Sequence, residues 1–233
     1  MNIALFGYGK MGKMIEQIAI QRGHNIVAKI DIDTNELDFS EMDVAIDFSM
    51  PTAAYDNIKQ CIKNNVPIIS GTTGWLDDYD NAVTYCKEHK GAFIYASNYS
   101  LGVNIFFELN EYLAKMMKNM EQYTVSMEEI HHTQKLDAPS GTAITLAEGV
   151  IANSRYKNWS LDQVSEDTIG ITSKRVNAVP GTHIVDYQSN VDGIEIKHTA
   201  HNREGFALGA VIAAEWILGK SGVFSMRDVL NLG

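Results

Sequence analysis

A chain of 233 residues with a formal net charge of −10 is long enough for two modest domains, and its charge repels nucleic acid and anionic membrane. No charged leader precedes a long apolar run and the apolar stretches are of strand length, so neither a signal peptide nor a spanning helix is expected, and a cytoplasmic location is. Cys61 and Cys86 stand far apart without a C-x-x-C, which speaks against a zinc knuckle, a redox pair or a disulfide framework.

Residues 2–6 form a short apolar strand that runs straight into Gly7-Tyr8-Gly9-Lys10-Met11-Gly12, after which Met11, Met14, Ile15, Ile18 and Ala19 recur at helical spacing as far as Gly23. Strand, G-x-G-x-x-G and helix in that order make a dinucleotide-binding fingerprint. Gly7 permits the tight turn, Gly9 lets backbone approach a pyrophosphate, and Gly12 lets the helix pack on the strand. A second strand over residues 25–30 ends at Asp31, whose carboxylate can accept hydrogen bonds from ribose hydroxyls.

Residues 43–48 read as a third strand, with Ser49 as cap and Pro51 in the first turn of a helix running through Ala54, Ile58 and Ile62. A fourth strand, 66–70, ends in Gly71-Thr72-Thr73-Gly74, a glycine-bounded turn at the carboxyl edge of a parallel sheet, where ligands of open α/β folds sit. A helix over 75–90 and a fifth strand over 92–97 complete a doubly wound Rossmann-type domain, left through Asn98, Tyr99 and Ser100.

Val103, Phe106, Phe107, Asn110, Leu113 and Met117 share one face of a helix that links the domains. Residues 122–132 then alternate, with Val125, Met127, Glu129 and His131 pointing one way and Ser126, Glu128, Ile130 and His132 the other. Adjacent histidines on a strand cannot chelate one metal together, and further ligands at suitable spacing are not apparent, so no metal is expected. After His131, His132 and Lys135 comes Asp137-Ala138-Pro139-Ser140-Gly141-Thr142, the start of a helix through Leu146 and Val150. Such a start offers backbone N–H groups and the positive end of the helix dipole, so with the two imidazoles and the ammonium it suits a small anion such as a carboxylate. Residues 153–163 read as polar loop. Strands over 168–176, 182–189 and 194–199 follow, the last two joined by the hairpin signal Val191-Asp192-Gly193. Together they make a smaller α+β domain with an open mixed sheet. Phe206, Ala207, Ala210, Val211, Ala214 and Ile217 form an apolar helix that returns to the first domain, and residues 225–228 read as a capping box. The expected division is 1–99 with 203–233 for the dinucleotide and 100–202 for substrate and oligomerisation.

The run Glu129-x-His131-His132-x-x-Lys135-x-Asp137-Ala138-Pro139-Ser140-Gly141-Thr142 resembles the signature of the 4-hydroxy-tetrahydrodipicolinate (dihydrodipicolinate) reductases, and residues 198–207 and 220–230 are similar to other parts of that family. The resemblance implies reduction of a cyclic dicarboxylate imine in lysine and diaminopimelate biosynthesis, with NADH or NADPH as hydride donor and a homotetrameric assembly. Carried onto this chain, it places His132, Gly141 and Thr142 on the substrate carboxylates. Gly71, Thr72 and Thr73, with Ala96, Ser97, Asn98 and Tyr99, fall on the nicotinamide half of the cofactor. Hydride addition has to be matched by protonation of the conjugated ring atom. Lys135 is the expected general acid, with His131 hydrogen-bonding to it or sharing that role, and Arg175 is a further candidate for a substrate carboxylate. The glycine loop departs from the many family members that have one more residue and an arginine there, since this chain keeps the six-residue form with Lys10. Asp31 followed by Ile32 and Asp33 favours NADH, with NADPH usable through Lys10; Lys29 projects from its strand. A regulator that senses the dinucleotide would need a basic DNA-reading element, which the sequence lacks. Another amino-acid-linked dehydrogenase would keep the glycine loop but lack the central run.

Overall fold

The computed structural model describes residues 1–31, 37–163 and 165–232. The chain divides into two compact units, Met1–Leu101 with Glu204–Gly233, and Gly102–Arg203.

The first unit is a six-stranded parallel sheet in the order β11-β5-β4-β3-β1-β2. Its strands are β1 (Asn2–Phe6), β2 (Asn25–Ile30), β3 (Val44–Asp47), β4 (Ile68–Ser70), β5 (Ala92–Tyr95) and β11 (Gly222–Phe224). Helices cover both faces, so the inner strands are apolar on both sides. Ile3, Leu5, Val44, Ile46, Ile69 and Ile94 pack with α1 (Lys10–Gln21) and α6 (Glu204–Ile217), while Ala4, Phe6, Ala45, Ile68 and Phe93 meet α2 (Pro51–Lys63) and α3 (Tyr79–Glu88). Each such aliphatic or aromatic side chain contributes about 1.5–3 kcal/mol by leaving water. Strand order reverses between β1 and β3, which puts the loop after β1 at the switch point of the sheet, where open α/β folds hold ligands. Cys61 and Cys86 are buried free thiols.

Three local expectations are corrected. The N-cap of α2 is Met50, not Ser49, because the Ser49 hydroxyl donates to Asp47 Oδ1 at 2.6 Å instead. Expected loop 153–163 contains a strand, β7 (Asn158–Leu161), whose polar composition hides its parallel pairing with β8 (Thr168–Arg175). The sixth strand of the first sheet, β11, is too short to show a period, and Asp228 beyond it accepts from both the N–H (2.7 Å) and the hydroxyl (2.8 Å) of Ser225 at the start of α7 (Met226–Val229).

In the second unit a mixed sheet runs β10-β9-β6-β8-β7, with β6 (Thr124–His131), β9 (Gly181–Gln188) and β10 (Gly193–Ala200) antiparallel in turn and β6, β8 and β7 parallel. Phe106, Leu113 and Ala114 of α4 (Leu101–Met117) and Leu146, Ala147 and Val150 of α5 (Gly141–Ala152) form one core with Val125, Met127, Ile169, Ile171, Val185 and Tyr187 of the sheet. The buried Asn110 amide donates to the Leu146 carbonyl at 2.9 Å and ties the two helices together. Opposite the helices the sheet is polar, with Ser126, Glu128, Thr172, Lys174, Asp186 and Glu195, and Lys174 ion-paired to Glu128.

Candidate active site

At the carboxyl end of β1 the chain opens a cavity of about 430 Å³ lined by Gly7, Tyr8, Gly9, Asp31, Phe48, Ser49 and Asn57 among others. Gly7 has φ +87°, a left-handed conformation that only glycine adopts readily, and its N–H donates to Ile30 O at 2.8 Å. Gly9 is the N-cap of α1 and would have open space around a Cβ. Gly12 is buried with its Cα against the Gly7 carbonyl, so a side chain there would overlap backbone. Lys10 is exposed, and Met11 packs against the core rather than lining the cavity. Ile32 and Asp33, on which the cofactor expectation partly rested, lie outside the described residues.

Tyr8 is held in an arrangement the sequence did not announce. Its hydroxyl donates to Glu16, Lys29 Nζ lies 2.6 Å from the other Glu16 oxygen, and that ammonium sits 4.7 Å from the centroid of the Tyr8 ring. The hydrogen bonds from Lys29 and Tyr8 hold the Glu16 carboxyl below its ordinary range. Lys29 therefore projects from β2 into an ion pair.

The turn after β4 is organised by Asp47, fully buried at the end of β3. Its oxygens accept from Ser49 Oγ (2.6 Å), Asn57 Nδ2 (3.0 Å), Ser70 Oγ (2.8 Å) and Thr72 Oγ1 (2.7 Å). The Thr72 hydroxyl is thus spent on the fold, Gly71 lies against the Phe48 ring, and Thr73 is exposed. After β5, Ala96 and Asn98 are half-buried and Ser97 is exposed, whereas Tyr99 is enclosed in the core with its hydroxyl donating to Ser70 O at 2.9 Å. Of these seven residues, the Thr72 and Tyr99 side chains are therefore placed to hold the loops.

In the second unit, the helix-covered face of β6 changes character along its length. Val125 stands opposite Tyr187, Met127 opposite Val185, and then Glu129 opposite His183. Glu129 is fully buried; its Oε2 accepts from the Ser140 N–H at 3.0 Å, and its Oε1 accepts from Ser173 Oγ at 2.9 Å and Arg175 Nη2 at 3.2 Å. Burial alone would raise this carboxyl, but the bonds from Ser140 and Ser173 and the nearby His131 bring it below its ordinary value. His131 Nδ1 approaches Oε2 to 3.5 Å and His183 Nε2 to 3.8 Å, and the two rings meet edge to face with centroids 5.0 Å apart. Burial pushes His131 down, opposed by Glu129 and reinforced by Lys135 and Arg175. His183, deeper still, is pushed by burial and by His131 to about 3, so it is neutral at ordinary pH. The ligand atoms of Glu129, His131 and His183 lie within 4.8 Å of one another, a grouping that spacing within one strand could not show. Glu129 accepts hydrogen bonds on both oxygens, while Nδ1 of His131 and Nδ1 of His183 are buried without a hydrogen-bond partner.

The segment after β6 is folded back on this network. Arg175 donates from Nε to Lys135 O (3.2 Å), from Nη1 to Lys174 O (2.9 Å) and from Nη2 to Asp137 O (2.7 Å) as well as to Glu129. It clamps the 135–137 turn to β8. Lys135 Nζ donates to both Asp137 oxygens, at 2.8 and 2.7 Å, which holds Asp137 below its ordinary value. Ser140, buried, caps α5 by accepting from the Ala143 N–H at 3.2 Å, and its hydroxyl lies 3.1 Å from His183 Nε2. Gly141 is exposed and Thr142 half-buried in the first turn of α5, so the dipole-positive end of this helix is fixed, through the Ser140–Glu129 bond, to the strand that ends at His131. His132, half-buried, begins the turn that returns to Lys135 N at 3.1 Å.

Comparison with known proteins gives this constellation its lineage. Residues 1–99 match the model of the dihydrodipicolinate reductase N-terminus and residues 102–230 that of the C-terminus. The chain belongs to the dihydrodipicolinate reductase family. It is 58% identical over 234 residues to the 4-hydroxy-tetrahydrodipicolinate reductase of Christiangramia forsetii, covering 99% of this chain and 98% of that one. The Neisseria meningitidis 4-hydroxy-tetrahydrodipicolinate reductase is 33% identical, covering 93% and 84%. A solved dihydrodipicolinate reductase from Paenisporosarcina sp. TG-14, with dipicolinate bound, has the same fold at a TM-score of 0.80 and 21% identity, covering 97% of each chain. As a member of this reductase family the chain is an oxidoreductase that uses a nicotinamide cofactor. His183, Ser173, Glu16 and Asp47 were missed in the sequence. His183 alternates with Val185 and Tyr187, which marks an inward face, but its partner Glu129 follows only from the register of β6 on β9.

Proposed function

We propose that His131 and Lys135 handle the proton of the reaction while the second unit holds the substrate ring and the first holds the hydride donor. The reaction is the family's, reduction of 4-hydroxy-tetrahydrodipicolinate to tetrahydrodipicolinate in lysine and diaminopimelate biosynthesis. The observation that carries the assignment is the convergence of His131, the Lys135 turn and the α5 N-terminus around one buried carboxylate. When bound, the nicotinamide supplies hydride. Lys135, ion-paired to Asp137, is the general acid, and His131 shares its proton. His132, Gly141 and Thr142 receive the ring carboxylates, the class of ligand that dipicolinate represents in the solved relative. The cofactor lies along Gly7, Tyr8, Gly9, Lys10, Met11, Gly12 and Asp31, with residues 71–73 and 96–99 toward the nicotinamide.

NADH is the preferred donor and NADPH a usable one. Asp31 follows β2 at the cavity wall, where a carboxylate repels a ribose phosphate, and Lys29, which might have covered that phosphate, is occupied by Glu16. The working form is a cytoplasmic homotetramer. Among the described residues no helix is long and apolar enough to cross a membrane, and α4 leaves Ile105, Leu109, Tyr112 and Met116 half exposed along one face, the kind of stripe that a subunit contact covers. The decisive experiment mixes the protein with reduced cofactor and freshly generated product of the preceding synthase. Cofactor oxidation that is lost in His131→Gln and Lys135→Ala is expected, and undiminished oxidation in both variants would refute the assignment. Sedimentation at micromolar concentration checks the assembly, a monomer being the refuting result.

A further inference from the structure

A carboxylate with no exposure at all, placed on a sheet face whose preceding rows are apolar, needs a reason. Glu129 has three hydrogen-bond donors and two imidazoles close to it: Ser140 before α5 and Ser173 and Arg175 on β8 donate, while His131 lies on its own strand and His183 on β9 across from it. Structural economy would be served by an apolar residue packed like Met127 in the preceding row. What the carboxylate adds is a fixed negative charge beside Nδ1 of His131. The ring has no room to turn away: His183 stands edge-on at a centroid distance of 5.0 Å, and on another side is Gly181, where even a methyl group would come within 3.2 Å of His131 Nε2 and 3.3 Å of Cδ2.

We infer that Glu129 is a positioning residue for the reduction, fixing the orientation of the His131 ring so that Nδ1 faces the carboxylate and Nε2 is the nitrogen that serves the substrate. Gly181 and His183 form the walls that keep that orientation. The inference rests on the reading of His131 as a proton-handling group. Arg175 and Ser173 hold Oε1, so the carboxylate cannot swing to follow the imidazole, and the alignment is set before substrate arrives.

The charge has a consequence with a definite sign. Groups facing His131 are Glu129 on its own strand, Lys135 and Asp137 on the following turn, Arg175 on β8 and His183 on β9. Glu129 and Asp137 favour the imidazolium, and the two cations oppose it. Replacing Glu129 by Gln removes the first-named support and lowers the pH at which His131 gives up its proton. The limb of the turnover profile that falls with rising pH therefore moves to lower pH.

Glu129→Gln keeps the size of the side chain and an oxygen for the Ser140 N–H. Its turnover number should fall about tenfold to a hundredfold, with that limb displaced to lower pH and Michaelis constants for both substrates within about threefold of the parent. Nitrogen-15 shifts of the His131 ring report the tautomer independently of turnover and should change in the variant. A folded Glu129→Gln with parental turnover, pH profile and ring shifts overturns the inference. If that variant does not fold, Gly181→Ala decides, since the backbone there is ordinary and the added methyl presses only on His131. A severalfold loss of turnover with altered ring shifts supports positioning, and parental values of both overturn it. His131→Gln separates the two levels. If it retains full turnover, the reading beneath the inference fails; if it is impaired while Glu129→Gln is not, the inference alone fails.

Discussion

Gly12→Ala and Gly9→Ala should fail in different ways, although they change two glycines of one loop. A Cβ on Gly12 would sit roughly 1 Å inside ordinary contact with the Gly7 carbonyl oxygen, with Tyr8 Cδ2 a further 3.5 Å neighbour. Neither wall yields cheaply: Gly7 is held at φ +87° by its bond to Ile30, and α1 is anchored by Ile15 and Ala19, both fully buried. Overpacking of this kind costs about 1–3 kcal/mol, against about 1 kcal/mol regained from alanine's helix propensity, which leaves a loss of about 0–2 kcal/mol. Relief requires the Gly7–Gly9 backbone to move from the start of α1, where the pyrophosphate would lie, so dinucleotide affinity should fall about tenfold to a hundredfold, or about 1.4–2.8 kcal/mol. A Cβ on Gly9 meets nothing within 4 Å, and its φ of −79° suits any residue. Gly9→Ala should therefore meet no clash and lose about 0.5–1.5 kcal/mol only through the poorer N-cap, while losing affinity because its methyl occupies the cavity. Calorimetric titration with NADH and thermal melts of both variants measure the two quantities. Parental affinity in either variant would refute this account of the crevice.

Lys135→Ala should lower the turnover number by about 10²–10⁴ with a smaller change in cofactor affinity, and unchanged turnover would remove Lys135 from the mechanism. Thr142→Val should weaken dipicolinate binding and leave NADH binding intact; calorimetry showing equal loss of both would mean that the start of α5 supports the fold rather than the ligand. Steady-state rates should favour NADH over NADPH by about tenfold at matched ionic strength. Glu16→Gln, by releasing Lys29 from its ion pair, should reduce that preference by about threefold to fivefold, and an unaltered ratio would exclude Lys29 from the phosphate pocket.

The glycine loop of the first unit was legible because its geometry is local. Gly7, Gly9 and Gly12 lie within six consecutive residues, and the conformation each requires follows from contacts with its own loop, as the φ of Gly7 and the close approach of Gly12 bear out. Central strands buried on both faces read as unbroken apolar runs, and the doubly wound order followed from them. Short elements escaped for a reason of length: β7 and β11 have four and three residues, too few to display a period, and each depends on its neighbour strand for definition.

The polar network of the second unit illustrates a different limit. Alternation along β6 placed Glu129 and His131 on the inner face with Val125 and Met127, and that was correct. What a single strand cannot reveal is that the inner face two residues further on is met by His183 from one neighbour and by Ser173 and Arg175 from the other. The roles then redistribute. Arg175 donates to three carbonyls and Glu129, and the buried carboxylate, which had no assigned task, becomes the group around which both the Lys135 turn and the α5 N-terminus are fixed. A buried acid that accepts from an arginine and two serines is costly to leave half satisfied, so each donor is bound to the others through it. That coupling is why the region between His131 and Ser140 can stay short and irregular and still hold an ammonium, two imidazoles and a helix end in register.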